Sequence, residues 1–151
     1  MQNSSLNNTK YVSRHELVFQ PGTAARGLFL VQSGKVMTFQ VSDGRIIPLS
    51  LANAGDFLGE DAVFHQDNYV SYAVALEDSS LAPITKDSIM EVIMNSPDWV
   101  KNLVQTMATR LASTQDIIKE FKILDPELTD FVEMTPQLEN QLNKIVQAAN
   151  A

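Results

Sequence analysis

All six glycines of this chain fall between Gly22 and Gly59, and that placement constrains its fold more than any other feature. Glycine serves tight turns and close backbone approaches, so the front is turn-rich and the glycine-free back suits helices. In the front part, β-favouring runs alternate with turn residues: HELVFQ before Pro21-Gly22, GLFLVQ before Ser33-Gly34, KVMTFQV before Asp43-Gly44, and RIIPLSL before Asn53-Ala54-Gly55. Asp43-Gly44 is the strongest hairpin signal, because a two-residue turn with positive φ at both positions favours that pair. YVSYAVALE and LAPIT add two more strands, and a spacing of roughly ten residues predicts an antiparallel sandwich, roll or barrel. Pro48 and Pro83 each remove a ladder donor, so they belong on edges or at strand ends.

From Lys86 the apolar period becomes helical, with Ile89, Val92 and Ile93 on one face of a short segment ending near Asn95-Ser96. A longer helix is predicted from Pro97, with Ser96 as cap, to about Leu124, where Asp125-Pro126 stops it. Val100, Val104, Met107, Leu111, Thr114, Ile118 and Phe121 alternate by four and three along it, which is the seam of a coiled coil and predicts a homodimer. A helix packed only on its own domain is the alternative. Leu103 and Ile117 widen the apolar face. The final 27 residues, from Asp125, hold five carboxylates and one lysine, and Thr135-Pro136 starts a terminal helix with Leu138, Leu142, Ile145 and Val146 on one side. That helix either folds back on the β-domain or binds a protein partner.

Composition narrows the function classes. A formal net charge of −7, with 18 acidic against 11 basic side chains and no basic cluster, opposes direct contact with nucleic acid. The chain has no cysteine, which removes disulfides, thiolate metal sites and thiol redox sensing and fits a cytoplasmic protein. No apolar run reaches the ~20 residues that span a bilayer, so no membrane role is expected. Enzyme signatures fail. The spacing of Gly22 and Gly27 imitates a phosphate loop but lacks its lysine and hydroxyl, and Phe19 stands where a zinc-protease motif begun at His15-Glu16 needs its second histidine. His65 has no nucleophile motif to serve, and no metal site is expected. The chain reads as a non-enzyme.

The informative stretch is Gly55-Asp-Phe-Leu-Gly-Glu-Asp-Ala-Val-Phe64, a glycine-punctuated turn leading into a short helix that starts near Glu60 or Asp61. Backbone N–H groups at such a start form an anion-binding nest, and Gly59 lets a ligand approach the main chain.

The order PG, GLFLVQSGKV, DG, GDFLGE, VSYAVALEDSSLAPI and SPDWVKNLVQTMATRLASTQ resembles the effector domain of the catabolite activator and fumarate-nitrate regulator (Crp/Fnr) family, from about Leu17 to Phe121. The resemblance implies a mainly β fold with α, an antiparallel, jelly-roll-like β-roll that binds a cyclic nucleotide, followed by a long dimerisation helix. It divides the chain into a polar leader (1–14), the roll with its short helix (15–96), the dimerisation helix (97–124) and an acidic helical tail (125–151). Gly59 matches the glycine of close backbone approach, Glu60 the carboxylate that accepts from the ribose 2′-hydroxyl, and Ser71 the hydroxyl beside the cyclic phosphate. Thr114 matches the threonine that meets the purine amino group.

Two positions depart from the pattern. Val70 stands where the family places its phosphate-pairing arginine, and Gln115 where it often has a serine reaching across the dimer. Losing the arginine forfeits a charge-assisted bond of ~1.5–3 kcal/mol and leaves a buried anion at a cost of ~3–5 kcal/mol, so cyclic AMP or cyclic GMP is expected to bind only weakly. The family's helix-turn-helix is also missing, and only the acidic tail follows the long helix. The expected function is a regulatory small-ligand sensing and dimerisation module, acting in signal transduction or transcription regulation through a partner or missing output domain. The alternative is a scaffold that has lost its ligand.

Overall fold

The computed structural model describes residues 8–59, 67–121 and 133–150, with backbone alone for residues 108 and 111–121. The chain runs through strands β1 (Lys10–Val12), β2 (Leu17–Phe19), β3 (Gly27–Ser33), β4 (Val36–Ser42), β5 (Arg45–Ala52), β6 (Phe57–Leu58), β7 (Tyr72–Ala75) and β8 (Ser79–Thr85), then helices α1 (Lys86–Met94), α2 (Asp98–Phe121) and α3 (Pro136–Ala149). Two four-stranded antiparallel sheets, in the orders β1-β8-β3-β6 and β2-β7-β4-β5, face each other. This is the mainly β roll with helices expected from the sequence.

Local chemistry accounts for most of these elements. Asp43 and Gly44 both have positive φ (53° and 75°), closing the hairpin whose last pair is Ser42 with Arg45. Pro48 sits on edge strand β5, beside a bulge in the β4–β5 register. Pro83 lies in β8 beyond the last β1 pairing at Leu81, so its missing N–H interrupts no ladder on that side. Thr85 caps α1 by accepting from the Ser88 N–H at 3.2 Å, and Thr135 caps α3 by accepting from the Leu138 N–H at 3.1 Å.

The apolar core has two layers. Val12, Val31, Leu58 and Leu81 of the first sheet meet Val36, Ala52, Ala73 and Ala75 of the second between the sheets. On the outer face of the second sheet, Met37, Phe39, Ile46, Tyr72 and Val74 are covered by Leu142 and Val146 of α3, with Leu138 and Ile145 beside them. Arg45 pairs with Glu139 at 3.0 Å, and the Asn150 side-chain amide donates to the Tyr72 hydroxyl at 3.0 Å. The terminal helix thus folds back on its own β-domain.

Several sequence expectations need correction. Residues 10–14 were assigned to a polar leader but belong to the roll: Lys10–Val12 pair with β8, Val12 is buried, and the Arg14 N–H donates to Asp78 Oδ1 at 2.8 Å. Val92, expected on the packed face of the short helix, is 68% exposed, because α1 is too short and peripheral to bury a full stripe. Ser96 does not cap the long helix; its hydroxyl donates back to the Val92 carbonyl at 2.8 Å, and the Pro97 carbonyl accepts the first bond of α2, from the Val100 N–H. Strand β6 lies inside what the sequence suggested was only a turn.

Candidate ligand-binding site

The site forms around the two ends of the segment between β6 and β7. At the first end, Gly59 is buried with φ +86°, a conformation that disfavours any side chain. A Cβ there would come within 3.0 Å of the Tyr69 ring, so the glycine is required by contact as well as by torsion. At the second end, Tyr69 is buried, stacks on Phe19 with centroids 4.0 Å apart, and donates its hydroxyl to the Gly27 carbonyl at 2.8 Å. Backbone bonds tie the same end to the β2–β3 turn: Gly22 N–H to Tyr69 carbonyl, Tyr69 N–H to Thr23 carbonyl, and Ala25 N–H to Asp67 carbonyl, each at 2.9 Å. Four hydrogen bonds and one ring stack therefore hold this end of the site to β2, β3 and the turn between them.

Residues 69–71 then lead into β7. Ser71 is buried two residues before Ala73, whose side chain belongs to the core between the sheets. Val70 is half-buried, and its carbonyl accepts from Gln40 Nε2 at 3.2 Å. On β4, Thr38 and Gln40 alternate with Val36, which places them on the inner face, and the Thr38 hydroxyl bonds to that of Ser50 on β5. Lys86 pairs with Asp67 at 3.4 Å on the exposed rim.

Gly59 is thus brought against Tyr69, with Val70 and Ser71 following directly in the chain. Glu60, the short helix expected near it, and His65 lie outside the described residues. Thr114 and Gln115 lie on α2 by its backbone, and their side chains, like those of Leu111, Ile118 and Phe121, lie outside the described set. Of the seam positions described in full, Val100 and Val104 are half-buried and Met107 is 61% exposed. Trp99 and Leu103 are exposed on the adjoining stripe. Among the described residues no group of three or more His, Cys, Asp or Glu is placed to hold a metal, and no helix is long and apolar enough to cross a membrane.

Sequence reasoning missed Tyr69, Gln40 and Thr38. Tyr69 was counted only as part of a strand. The signal for the other two was present, since strict alternation in KVMTFQV places one threonine and one glutamine on the face of Val36.

A two-sheet roll with Gly59 at positive φ just after β6, and a long helix after the second sheet, defines the class of fold. Residues 9–96 match the cyclic nucleotide-binding domain family, and the chain belongs to that family. Its relatives are Crp/Fnr-type regulators. The chain is 25% identical over 118 residues to an anaerobic regulatory protein of Bacillus subtilis, covering 77% of this chain and 50% of the relative. It is 30% identical over 95 residues to a cyclic AMP receptor protein of Thermus thermophilus, covering 62% and 44%. Among solved structures, a cAMP-bound EAL enzyme superposes with a TM-score of 0.64 at 26% identity, covering 78% of this chain and 32% of that one. The chain spans about half the length of the curated relatives it matches.

Proposed function

We propose that this chain is a homodimeric regulatory module that binds a small ligand between Gly59 and Ser71 and reports occupancy through the pairing of its long helix along Val100–Phe121. The observation that carries this reading is the retained frame: Gly59 at positive φ against Tyr69, and Tyr69 locked to Gly27, Thr23 and Phe19. In that reading Glu60 accepts from a ribose hydroxyl, Ser71 meets the group beside it, and Thr114 with Gln115 faces the base. The apolar stripe of α2, with Leu103 50% exposed and Met107 61% exposed on the single chain, supplies a surface for a second copy. The division into roll (10–96, with the first strand counted in), dimerisation helix (97–124) and acidic tail (125–151) follows the same reading. The module does no chemistry itself, acts in the cytoplasm, and works through a partner or a further domain. Its net charge of −7 disfavours direct nucleic-acid contact.

Cyclic nucleotides bind weakly in this reading because Val70 offers no cation. Calorimetric titration with cyclic AMP and cyclic GMP, with thermal midpoints measured in parallel, tests it. Val70→Arg should raise affinity by about two to three orders of magnitude, the equivalent of a restored charge-assisted contact to a buried anion. It should also lift the midpoint in the presence of ligand by mass action. The second reading, a scaffold serving only dimerisation or docking, is favoured by Val70 itself. No gain on restoring the arginine would select it.

A further inference from the structure

At the edge of the first sheet farthest from β6, and so away from the cradle between Gly59 and Ser71, the end of β1 and the β7–β8 turn border an open cavity of about 370 Å³. That volume falls within the ~300–1,000 Å³ usual for small-molecule sites. Strand alternation accounts for its lining. Val12 is buried between the sheets, so its neighbours Tyr11 and Ser13 turn to the outer face. The β1–β8 register sets Tyr11 against Ser80, and the β3–β8 register sets Ser80 against Ser33, whose hydroxyl lies 2.6 Å from that of Ser80. A register shift in β3 between Val31 and Ser33 ends the regular ladder at the cavity.

The lining carries one charge. Asp78 Oδ1 accepts from the Arg14 N–H at 2.8 Å, and Oδ2 has no protein partner among the described residues. Ser79 also lines the cavity, but its buried hydroxyl is committed to the Glu77 carbonyl at 2.8 Å. No lysine or arginine is part of the lining, so a phosphate or carboxylate would find no cation there. Nor does the surround concentrate cations. Arg14 and Lys35 offset Glu77 and Asp78 along the chain, and the Lys10 ammonium lies 5.8 Å from the centre of the Phe29 ring. What remains is the hydroxyls of Ser13, Ser33 and Ser80, one carboxylate oxygen and the Tyr11 ring, 78% exposed. A sugar presents the complementary groups: hydroxyls that donate to a carboxylate and exchange bonds with serines, and a C–H face that packs on an aromatic ring.

We propose that this cavity is a second site that binds a neutral monosaccharide unit, with Asp78 and the serines holding its hydroxyls and the Tyr11 ring covering one of its faces. The site shares no residue with the cradle and stands whether or not the cradle takes a ligand.

The test is amide NMR titration of the full chain with glucose, galactose, mannose and ribose, with choline and inorganic phosphate as charged comparisons. At least one sugar should bind saturably, with a dissociation constant between about 0.1 and 10 mM. Its shifts should fall on Tyr11, Ser13, Ser33, Asp78 and Ser80. Tyr11→Ala should weaken that sugar at least about fivefold, and Asp78→Asn about tenfold, as loss of a ring contact and of a charge-assisted hydrogen bond predict. Asparagine keeps an acceptor for the Arg14 N–H and Tyr11 is exposed, so both variants should hold the thermal midpoint of the sugar-free protein. Tyr11→Phe, which keeps the ring, should stay within about twofold of the native affinity. Absence of saturable shifts with all four sugars, tighter binding of choline or phosphate at the same amides, or sugar affinity unchanged in either Tyr11→Ala or Asp78→Asn would overturn the proposal. So would a loss in Tyr11→Phe equal to that in Tyr11→Ala.

Discussion

Gly27 shows how tightly single positions are specified around the site. A Cβ there would lie 2.0 Å from the Ile84 carbonyl oxygen, in the same β3 residue whose own carbonyl receives the Tyr69 hydroxyl. Gly27→Ala must push apart the β3–β8 pair and disturb the Tyr69 anchor together, so chemical denaturation should record a loss of about 1–3 kcal/mol, the usual range for overpacking. Gly44→Ala meets no atom within 4 Å and suffers only its positive φ, so its loss should be about 1–2 kcal/mol. His15 is a different case, a non-glycine residue at φ 69° whose pKa is lowered from the usual 6.5 by desolvation and by neighbouring Arg14. At His15 the folded state then binds fewer protons than the unfolded chain, so the stability this group contributes is fully present above pH 6.5 and is lost as pH drops through 6.5 towards the lowered value. Denaturation midpoints from pH 7.5 to 5 should show that decline, and His15→Asn, which tolerates the same torsion, should flatten the part that His15 contributes. Gly59 was legible in the sequence through its turn context. Gln40 was not singled out, because a glutamine in an apolar run looks like a solvated strand residue until the opposite strand is known.

Among the elements, strands with a turn on each side were readable, and the departures have local causes. In β2 a bulge lets Leu17 pair with Val74 and Phe19 with Ala73, so Leu17 joins the outer core and Phe19 the inner one beside Tyr69. Alternation alone would have put both on one face. Strand β6 is two residues long and carries no period to detect, yet it ends at Leu58, immediately before Gly59, and so fixes where the cradle begins. Helix α2 was legible as an amphipathic segment from its alternation of four and three. Its pairing is a question for a second copy of the chain, and Leu111→Asp is the direct probe. A carboxylate at that seam position would be buried unpaired in a dimer but solvated in a monomer, so sedimentation should show dissociation to half the mass. An unchanged mass would remove the coiled coil and leave α2 as a helix of its own domain.

At the scale of the whole molecule, the second sheet is apolar on both faces, and this explains the acidic tail. Strand β4 sends Val36 inward and Met37 and Phe39 outward, while β7 sends Ala73 inward and Val74 outward. A sheet face of that kind must be covered by another element, and α3 covers it. The sequence made both a docked and a partner-bound helix reasonable, because amphipathic spacing of Leu138, Leu142, Ile145 and Val146 is the same in either case. What it could not reveal is that the outer face of β4 needed a lid, since that depends on which strands flank it. Leu142 is fully buried in the contact, so Leu142→Ala should cost about 2–5 kcal/mol, with loss of transfer energy and a cavity both contributing. The Arg45–Glu139 pair is a weaker tie, because the arginine side chain is 75% exposed, and Glu139→Gln should cost no more than about 1 kcal/mol. If the helix were chiefly a docking element for another protein, Leu142→Ala would leave the thermal midpoint of the isolated chain unchanged. A fall larger than that of Glu139→Gln would instead establish α3 as part of the folded core, tied to β5 through Arg45 and to β7 through Tyr72.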